Sequence, residues 1–94
     1  MTVKEMFDAA DNEFLKFDRI KNPRHPRPDI CAFLMLHELV PGTKDMVTGA
    51  RHDEISLSVT AYELEGCLTP EIAVDLHRCG VRYSEEWDCL AMFV

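Results

Sequence analysis

The chain has 94 residues, 47% hydrophobic and 29% charged, with a formal net charge of -7. This length allows one domain over residues 1–94 with a small core, and the composition is too apolar for a disordered chain. The charge opposes sequence-independent nucleic-acid binding, which relies on Lys and Arg to neutralise phosphates, and the longest strongly apolar run, Ile30 to Leu36, is far shorter than the ~20 residues of a membrane helix.

Thr2 and Glu5 have the spacing of a capping box, and Val3, Met6, Phe7, Ala10, Phe14 and Phe17 follow at helical intervals, so residues 3–20 are expected to form an amphipathic helix. Pro23, Pro26 and Pro28 stop it, because each proline lacks a donor and biases its predecessor away from helical geometry. Residues 22–28 therefore read as an extended connector. Asp29 can start a second helix, whose broad apolar face of Ile30, Phe33, Leu34, Leu36 and Leu39 suggests a central position before the stop at Val40-Pro41-Gly42. Thr43 to Asp53 has weak periodicity and a break at Thr48-Gly49. It reads as a loop, with room for a short turn or strand near Met46 and Val47.

From Glu54 to Val59, apolar Ile55, Leu57 and Val59 alternate with polar residues, the period of a strand with one wet face. Thr60 and Glu63 repeat the capping-box spacing for a short helix through Leu64 to about Cys67. Thr69-Pro70-Glu71 starts another, with proline where its missing donor costs nothing, and Gly80 supplies a left-handed stop. Val81 to Tyr83, the turn Ser84 to Asp88 and the apolar Cys89 to Val94 form a hairpin, whose last strand needs cover on both faces. The expected fold is α+β in the order α-α-β-α-α-β-β, with a three-stranded antiparallel sheet that has its last strand in the middle.

Few residues suggest chemistry. Cys67, His77, Cys79 and Cys89 are zinc-ligand types, but their spacing lacks the paired Cys-x-x-Cys knuckle, so buried free thiols are the favoured reading and no metal or other cofactor is assigned. His37, beside the apolar stripe of the second helix, is expected to be a core-edge imidazole satisfied by a carbonyl or by Glu38. Arg51-His52-Asp53-Glu54 has acid/base types, yet neighbouring strand residues face opposite ways, which favours a solvated strand entry over a catalytic pair.

Two surfaces stand out for binding. Residues 51–94 hold nine acidic residues against three basic ones, and Glu85, Glu86, Trp87 and Asp88 gather carboxylates round the only tryptophan, which reads equally as packing back over the sheet or as an interface anchor. Lys21, Arg24, His25 and Arg27 form a basic island in the connector, where Arg24 and Arg27 could grip a phosphate or an acidic partner surface, although a simply solvated loop is the favoured reading.

The run His52-Asp53-Glu54-Ile55 and the ending from Leu76-His77-Arg78-Cys79-Gly80-Val81-Arg82-Tyr83 to Met92-Phe93-Val94 make residues 52–94 similar to short uncharacterised open reading frames of tailed phages and prophages. The resemblance implies an accessory factor that binds and redirects a host or viral protein in the host cytoplasm, and it supplies no catalytic residues. The favoured function is a non-catalytic protein-binding module for a partner with a basic surface, able to form an oligomer and to inhibit a nucleic-acid enzyme by presenting carboxylates in place of phosphates. The alternatives are a small enzyme using His37 or His52 with Asp53 at a subunit interface, and a zinc-stabilised module.

The start MTVKEMFDAADNEF has no basic-then-apolar export signal, so a reducing cytoplasm is expected. Protein isolated without reductant should then show four titratable thiols on denaturation, with the buried ones reacting slowly in the native state. Two stable disulfides in fresh protein would contradict that expectation.

Overall fold

The computed structural model describes residues 1–42 and 45–93; Thr43 and Lys44 of the expected loop and Val94 of the expected last strand lie outside the described residues. Helix α1, Val3–Ala9, opens with the capping box read from the sequence. Thr2 Oγ1 accepts from the Glu5 N–H at 3.1 Å, and a Glu5 carboxylate oxygen accepts from the Thr2 N–H at 2.7 Å. Val3, Met6 and Phe7 are its buried face.

The helix does not run to residue 20. Two 3-10 turns replace the rest, Asp11–Glu13 and Phe17–Arg19, with Leu15 between them at φ 63°. Long-range bonds account for the break: the Leu15 N–H donates to the His77 carbonyl at 3.1 Å, and the Glu13 carboxylate bonds Arg78 at 2.6 Å. These tertiary bonds outweigh a helical pattern that is worth only a few tenths of a kcal/mol per residue, roughly.

Helix α2, Pro28–Leu39, begins one residue before the expected Asp29, with proline in its first turn. It is not central. Cys31, Ala32, Met35 and Leu36 are buried, but Leu34, His37 and Glu38 face outward, and Gly42 turns the chain at φ 93°. The apolar face counted in the sequence is wider than the side actually covered.

Among the described residues, the sheet has four strands rather than three: β1 Val47–Arg51, β2 Glu54–Thr60, β3 Val81–Ser84 and β4 Cys89–Phe93. Their order is β1-β2-β4-β3, all neighbours antiparallel. The added strand β1 pairs Arg51 with Glu54 and Ala50 with Ile55 across a two-residue turn, so Arg51-His52-Asp53-Glu54 is the solvated entry to β2, as expected, and also the tip of a hairpin. His52 takes the left-handed conformation at φ 46° that such a tip demands.

As expected, β4 lies between β2 and β3. The chain crosses from β2 to β3 through α3, Ala61–Leu64, and α4, Pro70–Arg78. Thr60 caps α3 with Glu63 as its box partner, and the helix ends at Leu64, shorter than the span to Cys67 expected from sequence. Thr69 accepts from the Ile72 N–H at 3.2 Å to cap α4, and Gly80 ends that segment at φ 99°.

Alternation along the strands turns Leu57, Val59, Val81, Leu90 and Met92 towards Val3, Met6, Phe7, Leu64, Leu68, Ala73 and Leu76 of the helical layer, and this cluster is the core. The outer face is built largely of small or polar residues, including Gly49, Ser56, Ser84 and Ala91. Cys89 through Met92 are buried on both faces, whereas Phe93, expected to be covered like them, is 54% exposed.

The cysteines are free: Cys31, Cys79 and Cys89 are buried and Cys67 half-buried. Among the described residues, no helix is long and apolar enough to cross a membrane.

Leu90 is fully buried in the central strand, so Leu90→Ala should lower the unfolding free energy by about 2–5 kcal/mol in urea titration. Gly80→Ala should cost less, about 1–2 kcal/mol, from left-handed strain. A Cβ there would lie 2.9 Å from Leu15 Cδ2, but Leu15 is exposed and can yield, so adding Leu15→Ala should not restore the loss.

Candidate functional site

The β3–β4 turn, residues 85–88, forms one pole of the molecule. Asp88 sits at φ 49°, and its carboxylate accepts from the Tyr83 hydroxyl at 2.6 Å. That hydrogen bond, assisted by partial burial, pushes the Tyr83 phenol up to about 12. Glu85 shares Lys4 with Asp8, at 3.2 Å and 2.9 Å, and these carboxylates raise the lysine above its ordinary value. Trp87 lies half-exposed with the Arg51 guanidinium 4.6 Å from its ring centre, and it borders clefts over β1 and β2 with Thr48 and Ser56.

The same pole includes a residue that sequence reasoning passed over. The Ala61 N–H donates to the Asp88 carbonyl at 3.3 Å, which brings the first turn of α3 beside the hairpin. Tyr62 there is 82% exposed, and Glu65, three residues on, and Glu86 of the turn are exposed carboxylates. The signal was present in the capping box: a helix starting at Ala61 with Leu64 inward leaves Tyr62 on the opposite side.

A groove starts beside this pole and runs between α1 and β3. Its first part, about 380 Å³, is lined by Lys4, Asp8, Arg82, Tyr83, Ser84, Glu85 and Glu86. It shares Asp8, Arg82 and Tyr83 with an aromatic cleft of about 450 Å³ whose other walls are Phe7, Asp11, Phe14, His77 and Phe93.

His77 is the hinge of the cleft. Since a carbonyl can only accept, the 2.8 Å contact with the Val81 carbonyl puts the proton on Nδ1. The ring meets Phe14 at 4.9 Å and Phe7 edge-on at 5.8 Å. Phe14 is held in reach because Glu13, one residue before it, binds both Arg78 and Arg19, at 2.6 Å and 2.7 Å. Arg82 pairs with Glu54 and lies 4.7 Å from the centre of the Phe93 ring, while its buried Nε has no partner among the described residues. The arrangement can seat an apolar or aromatic group between rings and hold a cation at the carboxylate rim.

The remaining sequence candidates are dispersed. Arg24 pairs with Glu38 at 2.9 Å and Arg27 with Asp29 at 3.4 Å, so the basic island is largely neutralised within the chain. The Arg24 bond holds the Glu38 carboxyl below its usual range. His37 is exposed rather than at the core edge, and Glu38 is engaged elsewhere. His52 and Asp53 occupy the exposed hairpin tip.

The four zinc-ligand types do not converge. Cys79 lies beside Cys31, with its thiol pushed up chiefly by burial; Cys67 Sγ faces the Glu63 carbonyl at 3.6 Å; and Cys89 lines a cleft with Trp87 on the outer face. Among the described residues, no group of three or more His, Cys, Asp or Glu is placed to hold a metal ion. Compared with known proteins, the chain matches no family model, no curated protein and no solved structure.

The Arg78 hydrogen bond lowers the Glu13 carboxyl below its ordinary 4.5. A depressed carboxylate stabilises the fold above its unfolded-state value, and that contribution is lost as pH falls through the lower folded value. Thermal unfolding of Glu13→Gln should therefore lose less stability than the native sequence between about pH 5 and pH 3. Parallel acid limbs would show that the Glu13–Arg78 bond contributes nothing.

Proposed function

We propose that the protein is a non-catalytic binding module that docks a basic surface of another protein on its acidic pole. The observation that carries this reading is the exposed Tyr62, at 82%, on the helix turn that bonds the hairpin carrying the carboxylates of residues 85–88, with Glu65 beside it and Trp87, 50% exposed, lying from that hairpin over the outer face of β1 and β2. Exposed tyrosine and tryptophan supply large contact area with few rotors to freeze, and they dominate measured binding energies at interfaces. The surrounding carboxylates steer a basic partner and exclude phosphate backbones.

Internal bonds prepare this surface. Tyr83 fixes Asp88, Lys4 fixes Glu85 and Arg51 supports Trp87, which reduces the ordering cost on association. Glu86 and Glu65 have no such bond among the described residues and remain available for a partner's cations. One specific version is inhibition of a nucleic-acid-handling enzyme whose basic channel accepts these carboxylates in place of phosphates, the role of a phage accessory factor. A second copy of the chain, being equally acidic, is a poorer occupant of this pole.

Affinity isolation from a host lysate, followed by kinetics on the purified partner, tests the reading. Trp87→Ala should weaken binding by about tenfold or more, mainly through faster dissociation. Glu65→Lys with Glu86→Lys should slow association, with the difference shrinking as salt rises. A partner held equally well by all three proteins would place the interface elsewhere, and the connector carrying Arg24 and Arg27 would be the next surface to test.

A further inference from the structure

Resting on that reading, we infer that the groove between α1 and β3 receives an extended basic segment of the partner, with one aromatic side chain seated in the cleft and lysine or arginine side chains along the carboxylate rim. Shape is the first argument. The two clefts share Asp8, Arg82 and Tyr83, so they form one elongated channel that leads from the turn carboxylates to the rings of Phe7, Phe14 and His77. Each volume falls within the usual range of recognition pockets, about 300–1,000 Å³. An elongated channel with an apolar end and a polar end matches a chain segment with two kinds of side chain better than a compact solute.

Charge is the second argument. The channel is lined by Asp8, Asp11, Glu85 and Glu86 against Lys4 and Arg82. Arg82 is occupied by Glu54, and Lys4 is divided between Asp8 and Glu85. Asp11 and Glu86, at opposite ends of the channel, are exposed and have no cation paired with them among the described residues. A bound segment with positive charges at both ends would supply the missing counter-charges, and its aromatic residue would cover the exposed edge of Phe93 and the ring of Phe14.

The test is an amide-shift titration of the full chain with the peptide acetyl-Lys-Ser-Phe-Ser-Lys-Ser-Lys-amide. The expected result is saturable movement of the Phe7, Asp11, Phe14, His77 and Tyr83 signals. Replacing the peptide's phenylalanine by alanine, or its lysines by glutamates, should each weaken binding about tenfold. On the protein, Phe14→Ala and the exposed Asp11→Lys should have similar effects, with thermal unfolding used to confirm that each variant is folded. Asp11→Lys alone suffices if Phe14→Ala does not fold.

No movement at millimolar peptide, or equal binding by all three peptides, overturns the inference. Phenethylamine binding as tightly as the peptide also overturns it, since the occupant would then be a small aromatic amine. Trp87 borders the clefts over β1 and β2 and not this channel, so the partner's response to Trp87→Ala reads the pole separately from the channel. If the peptide fails while Trp87→Ala still weakens the isolated partner, the channel is refuted and the pole stands; the converse result refutes the pole alone.

Discussion

The structure depends on one constraint, the burial of β4 on both faces. Cys89, Leu90, Ala91 and Met92 have no wet side, so they require a strand on each flank and a covering layer above. Pairing Ile55 with Met92 and Val81 with Met92 puts the apolar residues of three strands on the same face. A slip by one residue in either ladder would reverse that alignment, which makes the register a consequence of burial. Each large side chain sealed there contributes about 1.5–3 kcal/mol, against a net stability of only about 5–15 for a typical domain. The α3–α4 crossover follows from the same requirement, because β3 must return parallel to β2 with β4 between them.

Charge organises what burial leaves open. Several of the chain's cations serve more than one neighbour or span a long stretch of sequence: Arg78 joins α4 to the first 3-10 turn, Lys4 joins α1 to the hairpin and Arg82 reaches Glu54 across β4. Most of these pairs are partly exposed and contribute little stability individually, about 0–1 kcal/mol. Their effect is positional. They fix Phe14 against His77 and Glu85 beside α1, and so give the groove its walls while the surplus of acidic residues remains on the surface.

Much of this was legible in the sequence where local chemistry and tertiary demand agree. Both capping boxes, the proline start of α4, the left-handed Gly80, the alternating β2 and the central β4 all stand as the residues implied. Strand β1 was legible only as room for a short strand near Met46 and Val47, because an edge strand has little to bury: Val47, Thr48, Ala50 and Arg51 are exposed, Gly49 interrupts the pattern, and the tip uses His52 where asparagine or glycine would have signalled a turn. The first helix was overread because Phe14 and Phe17 keep helical spacing while serving long-range contacts. The site was legible only in part. The hairpin carboxylates and Trp87 could be singled out from composition, but the groove depends on His77 meeting Phe7 and Phe14 from a distant element.

The position of β4 in chain order has a consequence for biosynthesis. Glu54 pairs with Phe93 and Ser56 with Ala91, so the middle of the sheet is assembled from segments made far apart in time. Until residues 89–93 have left the ribosome, β2 and β3 have no strand to share, and Leu64, Ala73 and Leu76 of α3 and α4 lack the cover of Leu90 and Met92. The nascent chain must therefore carry exposed apolar surface up to that point, the condition in which chaperones hold polypeptides. Once β4 emerges, the sheet, core and groove can form in a single cooperative step.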